Sequence, residues 1–130
     1  MQSLERIFYF PKIETMGMLS INPRQIGDVV VLDLKGEIDL YNTPELKQAI
    51  DEHISKGKRK IIINMSDVSY IDSSGIGALV SAASNLKKYG GELKLVGLYG
   101  SVRKVFELTK LTSFFSIYRD VAEALDSFTT

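Results

Sequence analysis

Segments with the two-residue period of a strand alternate with segments of helical period along this chain, and this alternation limits the folds open to it. A continuous apolar run, Ile61-Ile62-Ile63, follows the basic Lys58-Arg59-Lys60 and is typical of a strand covered on both faces. Apolar residues at helical spacing lie on either side of this run. Strands separated by helices favour a mostly parallel sheet with right-handed crossovers. The sequence therefore predicts the α/β class, with this run as a central strand.

The first strands are expected to form an antiparallel hairpin at one edge of that sheet. Residues 19–25 would pair with the next strand across the turn-prone Gly27-Asp28, and the second strand would end at Gly36. Its alternation predicts three buried positions: Val30, Leu32 and Leu34. It also predicts three largely exposed positions: Val31, Asp33 and Lys35.

About four helices are predicted to pack on the sheet. The first begins at Thr43-Pro44-Glu45, where Thr43 is expected to cap a free amide, and it ends at Gly57. The second follows Asp72 and ends at Gly90-Gly91, the third begins near Ser101, and the fourth is capped by Asp120. Residues 93–96 and 115–118 are predicted strands. A single domain over residues 18–130 is expected, preceded by an N-terminal extension, residues 1–17, of unknown role.

Composition excludes several functions. Sixteen basic and sixteen acidic residues balance, which argues against broad electrostatic binding to nucleic acid or to an anionic membrane. The absence of Cys rules out disulfides, thiolate nucleophiles and Cys-ligated metals, and it fits a reducing cytoplasm. No apolar run approaches the roughly 20 residues of a membrane span. We therefore expect a cytoplasmic protein with neither metal nor cofactor.

The turn Asp72-Ser73-Ser74-Gly75-Ile76-Gly77 places two hydroxyls at the start of a helix. Backbone amides without helical partners and the positive end of the helix dipole make such a position suitable for an anion. A simpler interpretation is that Ser73 caps the helix and the glycines allow strand and helix to pack closely. Residue types alone leave both interpretations open.

This turn and its surroundings resemble a known family. Tyr70-Ile71, the block from Asp72 to Leu79, the upstream Gly36-Glu37-Ile38-Asp39 and the later Gly90-Gly91-Glu92-Leu93 are similar to the STAS-domain anti-sigma factor antagonists of bacteria. The resemblance runs from about Leu19 to the end of the chain. It implies a single STAS domain with regulatory binding and no catalysis, as a monomer or weak dimer.

The resemblance also implies the mechanism and the residues. Ser73 would be phosphorylated by a partner that is both a serine kinase and the anti-sigma factor. The unphosphorylated form would bind this partner and free the sigma factor, the phosphorylated form would release it, and a serine phosphatase would reset the switch. The implied partner-binding or switch region comprises Asp39, Asp72, Ser74, Gly75, Ile76 and Gly77.

Asp39 is predicted to follow the second strand, in a turn on the same sheet edge as Ser73. Its carboxylate could orient the kinase or bond the serine hydroxyl, or Asp39 could be an ordinary loop residue. Leu40 and Tyr41, if exposed, would add apolar contact area.

Parts of the sequence are also compatible with other functions. A STAS subunit of a stress-signalling scaffold or of a transporter-accessory complex is the first alternative. Weak nucleotide binding is the second, because Gly75 and Gly77 open a helix after a strand, although Val80 replaces the third glycine of a dinucleotide fingerprint. A serine hydrolase is disfavoured, because the block is not Gly-x-Ser-x-Gly and the only histidine, His53, is interpreted as an ordinary surface or boundary residue. Phe114-Phe115 is interpreted as core.

Overall fold

The computed structural model describes residues 18–129. The predicted extension, residues 1–17, lies outside the described residues. The elements in chain order are β1 (Leu19–Ile26), β2 (Val29–Ile38), α1 (Thr43–Ser55), β3 (Lys60–Ile71), α2 (Ser73–Lys88), β4 (Glu92–Val96), α3 (Gly100–Leu108), β5 (Ser116–Tyr118) and α4 (Val121–Phe128).

The strands form one sheet in the order β1-β2-β3-β4-β5. β1 and β2 pair antiparallel, whereas the pairs β2–β3, β3–β4 and β4–β5 are parallel. The predicted class, the antiparallel N-terminal edge and the central place of β3 are confirmed.

Helices cover both faces of the sheet, and the triple isoleucine of β3 serves both. Ile61 and Ile63 lie in the larger apolar cluster with residues of α1, α2 and α3. Ile62 lies in a smaller cluster against α4, which supplies Ala124. A strand packed on both faces needs apolar residues at consecutive positions, and this explains the unbroken run.

Two expectations for β2 are wrong. Val31 is fully buried, because α4 covers the face that was predicted to be largely exposed. The strand also continues past Gly36 to Ile38, with a register shift after Gly36. Gly36 has φ +116°, and a Cβ there would lie 2.4 Å from the carbonyl oxygen of Met18. Glycine therefore lets the backbone of Met18 approach β2 closely here, and it does not end the strand.

Two side chains also differ from their predicted roles. Thr43 is the first residue of α1 after the N-cap Asn42, and its hydroxyl donates to the carbonyl of Asp39 at 2.6 Å instead of capping an amide. Phe114 is half exposed, although Phe115 is buried as predicted. The predicted cap of α4 is confirmed, since Asp120 accepts from the amide of Glu123 at 2.9 Å.

Within residues 18–129, none of the helices combines the length and the apolar character that a membrane span requires.

Candidate functional site

Parallel pairing brings two turns together at the carboxyl edge of the sheet. Ile38 and Ile71 are register partners at the ends of β2 and β3. The amide of Asp72 donates to the carbonyl of Ile38 at 3.1 Å, which joins the turn after β3 to the turn after β2. Adjacent parallel strands end at the same edge, so the predicted proximity of Asp39 and Ser73 is confirmed at the level of their two turns.

Asp72 holds this junction with both carboxylate oxygens. Its Oδ1 accepts from the amide of Gly75 at 3.0 Å and from the hydroxyl of Ser74 at 2.6 Å. Its Oδ2 accepts from the amide of Leu40, in the neighbouring turn, at 3.1 Å. Asp72 is thus the N-cap of α2, and the interpretation of Ser73 as the cap is wrong.

These contacts favour the ionised form of Asp72. Partial burial of the carboxylate opposes ionisation, but the hydrogen bonds from Ser74, Gly75 and Leu40 outweigh it and lower the pKa of Asp72. A negative charge therefore stands beside Ser73 at neutral pH.

The two serines of the turn differ in their surroundings. The hydroxyl of Ser74 is part-buried, donates to Asp72 and lies 3.3 Å from the hydroxyl of Thr43. Ser73 is the first residue of α2 and is exposed, and its hydroxyl makes no hydrogen bond to any residue between 18 and 129. Ser73 thus presents a free hydroxyl to solvent, and Ser74 does not.

The next three residues have different environments. Gly75 is buried, and a Cβ there would lie 2.6 Å from Cγ2 of Ile38 and 2.7 Å from Cγ1 of Ile71. Ile76 is buried in the larger cluster. Gly77 is exposed, and a Cβ there would meet open space. Gly75 and Ile76 therefore fix α2 against the sheet, whereas Gly77 lies on the surface.

Asp39 is occupied within its own turn. Its Oδ1 accepts from the amides of Tyr41 and Asn42, at 2.9 and 3.1 Å. No hydrogen bond joins it to Ser73 or Ser74 among the contacts of the described chain. Asp39 thus shapes the turn rather than activating a serine hydroxyl.

Asn42 is a site residue that the sequence analysis missed. It is buried, its amide nitrogen donates to the carbonyl of Glu37 at 2.8 Å, and its oxygen accepts from the amide of Asp39 at 2.9 Å. Asn directly before a Thr-Pro helix start is a recognisable N-cap signal that could have identified it.

Exposed apolar side chains lie in the turn after β2 and at the end of β3. We call Leu40, Tyr41 and Tyr70 the apolar rim; they are 64%, 88% and 47% exposed. Large apolar side chains grouped on a surface are typical of a protein-binding site. The rim therefore adds area suited to a docked protein around Ser73.

Between residues 18 and 129, no group of three or more His, Asp or Glu side chains is arranged to hold a metal ion. His53 is partly buried in α1, at the boundary position that the sequence predicts, and burial together with Lys56 lowers its pKa.

The fold and this turn define a small α/β domain that presents one free serine hydroxyl at a helix start. The family model for the STAS domain matches residues 20–124. The chain belongs to the STAS domain family.

Several named proteins are similar to this chain in sequence or in structure. The chain is 34% identical over 90 residues to the anti-sigma-B factor antagonist of Listeria monocytogenes, a match that covers 69% of this chain and 79% of the relative. It is 25% identical to the unphosphorylated anti-sigma factor antagonist SpoIIAA, with a TM-score of 0.68 over 85% of this chain and 98% of that one. The phosphorylated form of SpoIIAA, from Bacillus, matches with 26% identity and a TM-score of 0.67, over 84% of this chain and 99% of that one.

The same fold also occurs within a larger protein. The murine Slc26a9 anion transporter matches with a TM-score of 0.68 and 21% identity, over 78% of this chain and 18% of the transporter. This likeness concerns the fold alone.

Proposed function

We propose that this protein is an anti-sigma factor antagonist whose binding is switched off by phosphorylation of Ser73. In this proposal the unphosphorylated form binds an anti-sigma factor with serine kinase activity and so releases a sigma factor in the cytoplasm. A serine phosphatase restores the binding form, and the antagonist itself catalyses nothing. Relatives named as antagonists support the role, as does SpoIIAA, whose structure is known with and without phosphate.

The free hydroxyl of Ser73 is the observation that carries the proposal. A kinase must bring the attacking oxygen in line with the γ-phosphate, so the acceptor has to be reachable. Ser73 is exposed and unbonded within the described chain, whereas Ser74 would have to leave Asp72 first. Geometry therefore favours Ser73 as the acceptor.

Phosphorylation should leave the fold intact. A phosphate at a helix N-terminus gains only about 0.3 to 2 kcal/mol from the dipole. The neighbouring ionised Asp72 opposes this gain by repulsion between like charges. The two effects are small and opposite, so the modification does not act by unfolding the domain.

The same phosphate strongly disfavours a protein interface. It adds about −1.5 to −2 charges at a surface where the apolar rim would be buried by a partner. Like-charge juxtaposition across an interface costs several kcal/mol, and about 2.7 kcal/mol already weakens affinity a hundredfold. Repulsion and lost hydration at the contact are therefore sufficient to release the partner.

Phosphopeptide mapping tests the acceptor. The protein is incubated with its cognate anti-sigma kinase and ATP, and the modified residue is identified by mass spectrometry. We expect phosphate on Ser73, none on the Ser73→Ala variant, and continued phosphorylation of the matched Ser74→Ala variant. Phosphate found only on Ser74 or elsewhere would refute the proposal.

A STAS subunit of a stress-signalling scaffold or of a transporter-accessory complex is the second candidate, because the same fold occurs in an anion transporter. Light scattering distinguishes the two. A monomer or weak dimer is expected for the antagonist, and a stable particle of high mass for the scaffold.

Nucleotide binding has less support, since the missing side chain of Gly75 is explained by its packing on Ile38 and Ile71.

The domain limits are part of the proposal. In it a STAS domain spans residues 18–130 and follows an N-terminal extension of residues 1–17; the family match to residues 20–124 supports the domain part.

A further inference from the structure

A concave site lies at the opposite edge of the sheet from Ser73. It is a cleft of about 610 Å³ at the start of β3 and β4, bordered by the last turns of α2 and by the segment before β5. Lys60 and Ile71 are the first and last residues of β3, so the cleft and the serine turn are separated by on the order of 30 Å. The volume is in the range of small-molecule sites.

The cleft exists because β5 is short. β4 and β5 pair only from Lys94 onward, so Glu92 and Leu93 have no strand beside them on this side. The turn at Gly90-Gly91 packs closely on the chain before β3, since a Cβ on Gly91 would lie 2.4 Å from the carbonyl oxygen of Arg59. The gap is thus a consequence of the strand register.

Three phenylalanines form the apolar part of the walls, beside charged and serine side chains. Phe114, Phe115 and Phe128 line the cleft together with Leu93 and Ala83. Phe114 is half exposed and stands edge-on to Phe115, with ring centroids 4.9 Å apart. A half-exposed phenylalanine at the mouth of a cleft supplies a surface on which a flat or aliphatic ligand can pack. This accounts for a side chain that the sequence analysis assigned to the core.

Charge at the mouth is unbalanced. Three cations, Arg59, Lys60 and Lys87, line the cleft with one carboxylate, Glu92. Glu92 already accepts from the hydroxyl of Ser116 at 2.8 Å, and Lys60 pairs with Asp28 at 2.9 Å.

Lys87 differs from the other two cations. The guanidinium of Arg59 donates to two backbone carbonyls, those of Ile54 and Lys58. Lys87 is exposed in the last turn of α2 and makes no ion pair or hydrogen bond with its side chain in the part of the chain that the structure describes. Its ammonium is therefore available to an anion.

We propose that this cleft binds a small organic anion that joins one acidic group to an aromatic or short aliphatic body. Lys87 contacts the acidic group at the mouth, and the phenylalanine walls hold the apolar body. Cationic rim and apolar wall together select an amphiphilic anion over either an inorganic ion or a neutral hydrocarbon. The site lies apart from the serine turn and does not depend on its phosphorylation.

Fluorescence titration with anilinonaphthalene sulfonate tests the proposal on the full chain, because this probe has one sulfonate on an aromatic body. Saturable binding is expected, with the largest amide NMR shifts at Lys87, Gly91 and Phe114. Lys87→Glu is expected to weaken binding about five- to tenfold. The matched control is Lys88→Glu, which makes the same charge change on the next residue, outside the cleft; we expect less than about a twofold change.

Two further measurements distinguish the contribution of charge to binding from the contribution of apolar contact. Phe114→Ser should weaken both the sulfonate probe and its uncharged analogue phenylnaphthylamine, whereas Lys87→Glu should weaken only the sulfonate. Unchanged near-ultraviolet circular dichroism would show that each variant keeps its packed core. Absence of saturable binding, equal effects of Lys87→Glu and Lys88→Glu, or amide shifts confined to the apolar rim would overturn the proposal.

Discussion

Asp72 connects the turn after β2 to the turn after β3 through one carboxylate. It caps α2 through Gly75, fixes Ser74 and reaches Leu40 in the apolar rim. Ser73 takes part in none of these contacts. Its hydroxyl is therefore free to react, although the residues on both sides of it are fixed by hydrogen bonds.

Removing the carboxylate should therefore destabilise the domain. Asp72→Ala deletes the N-cap and leaves the amide of Leu40 and the hydroxyl of Ser74 without their acceptor. Loss of a cap costs about 0.5 to 2 kcal/mol, and an unsatisfied polar group adds to it. We expect a loss of about 1 to 3 kcal/mol in urea unfolding, against less than about 0.5 kcal/mol for the control Asp67→Ala, an exposed aspartate of β3. Equal losses in both variants would contradict this account of the junction.

The same network predicts a pH dependence. Because the pKa of Asp72 is lower in the folded state than its usual value of about 3.9, its ionised form stabilises the fold above that value. This contribution is lost as the pH falls through the folded-state pKa. The difference in unfolding free energy between wild type and Asp72→Asn should be constant from about pH 5 to 7 and shrink below about pH 4. A difference that grows on acidification would reverse the sign and contradict the hydrogen-bond scheme.

The sequence alone does not show which of Asp72 and Ser73 caps helix α2. Asp and Ser are both good N-caps, so only the side-chain directions show that Asp72 caps and Ser73 is free. Asn42 and Thr43 are likewise both good N-cap residues at the start of α1. The sequence predicts Thr43 as the cap, but the N-cap is Asn42.

At the scale of elements, helix α2 depends on one of its two glycines for its fit to the sheet. Gly75→Ala would place a methyl group within 2.7 Å of side chains on β2 and β3, and overpacking of this kind costs about 1 to 3 kcal/mol. Gly77→Ala meets open space and should stabilise the helix by up to about 1 kcal/mol. Urea unfolding of the two variants should thus shift in opposite directions, and a shift of the same sign in both would show that the packing is misassigned.

Element order was predictable from the sequence because each strand and helix has its own period. Which face of a strand is buried was harder to predict. Val31 is buried by α4, a helix near the end of the chain whose position no local sequence pattern reveals. The sequence predicts a strand end at Gly36 because a glycine usually weakens a strand, yet here the missing side chain lets the backbone of Met18 approach. Both predictions failed because contacts between residues distant in sequence determine the structure at these positions.

At the scale of the whole molecule, phosphorylation is expected to change binding and not folding. The phosphorylated and unphosphorylated proteins should differ by no more than about 2 kcal/mol in urea unfolding, the upper range of a charge at a helix end. Their amide NMR spectra should differ mainly at the two turns. Loss of the cooperative unfolding transition on phosphorylation would show a folding switch instead.

The serine turn and the cleft lie at opposite ends of the parallel strands. Its carboxyl edge carries Ser73 and the apolar rim, and its amino edge carries the cleft of Lys87 and Phe114. Parallel strands create this polarity, since every β-to-α turn lies on one side.

The most direct test is calorimetric titration of the cognate anti-sigma factor with the unphosphorylated protein and with protein phosphorylated on Ser73. We predict affinity at least about a hundredfold weaker for the phosphoprotein, near wild-type affinity for Ser73→Ala, and an intermediate value for Ser73→Asp, whose single carboxylate carries less charge than a phosphate. Equal affinity of the two forms would contradict the central claim.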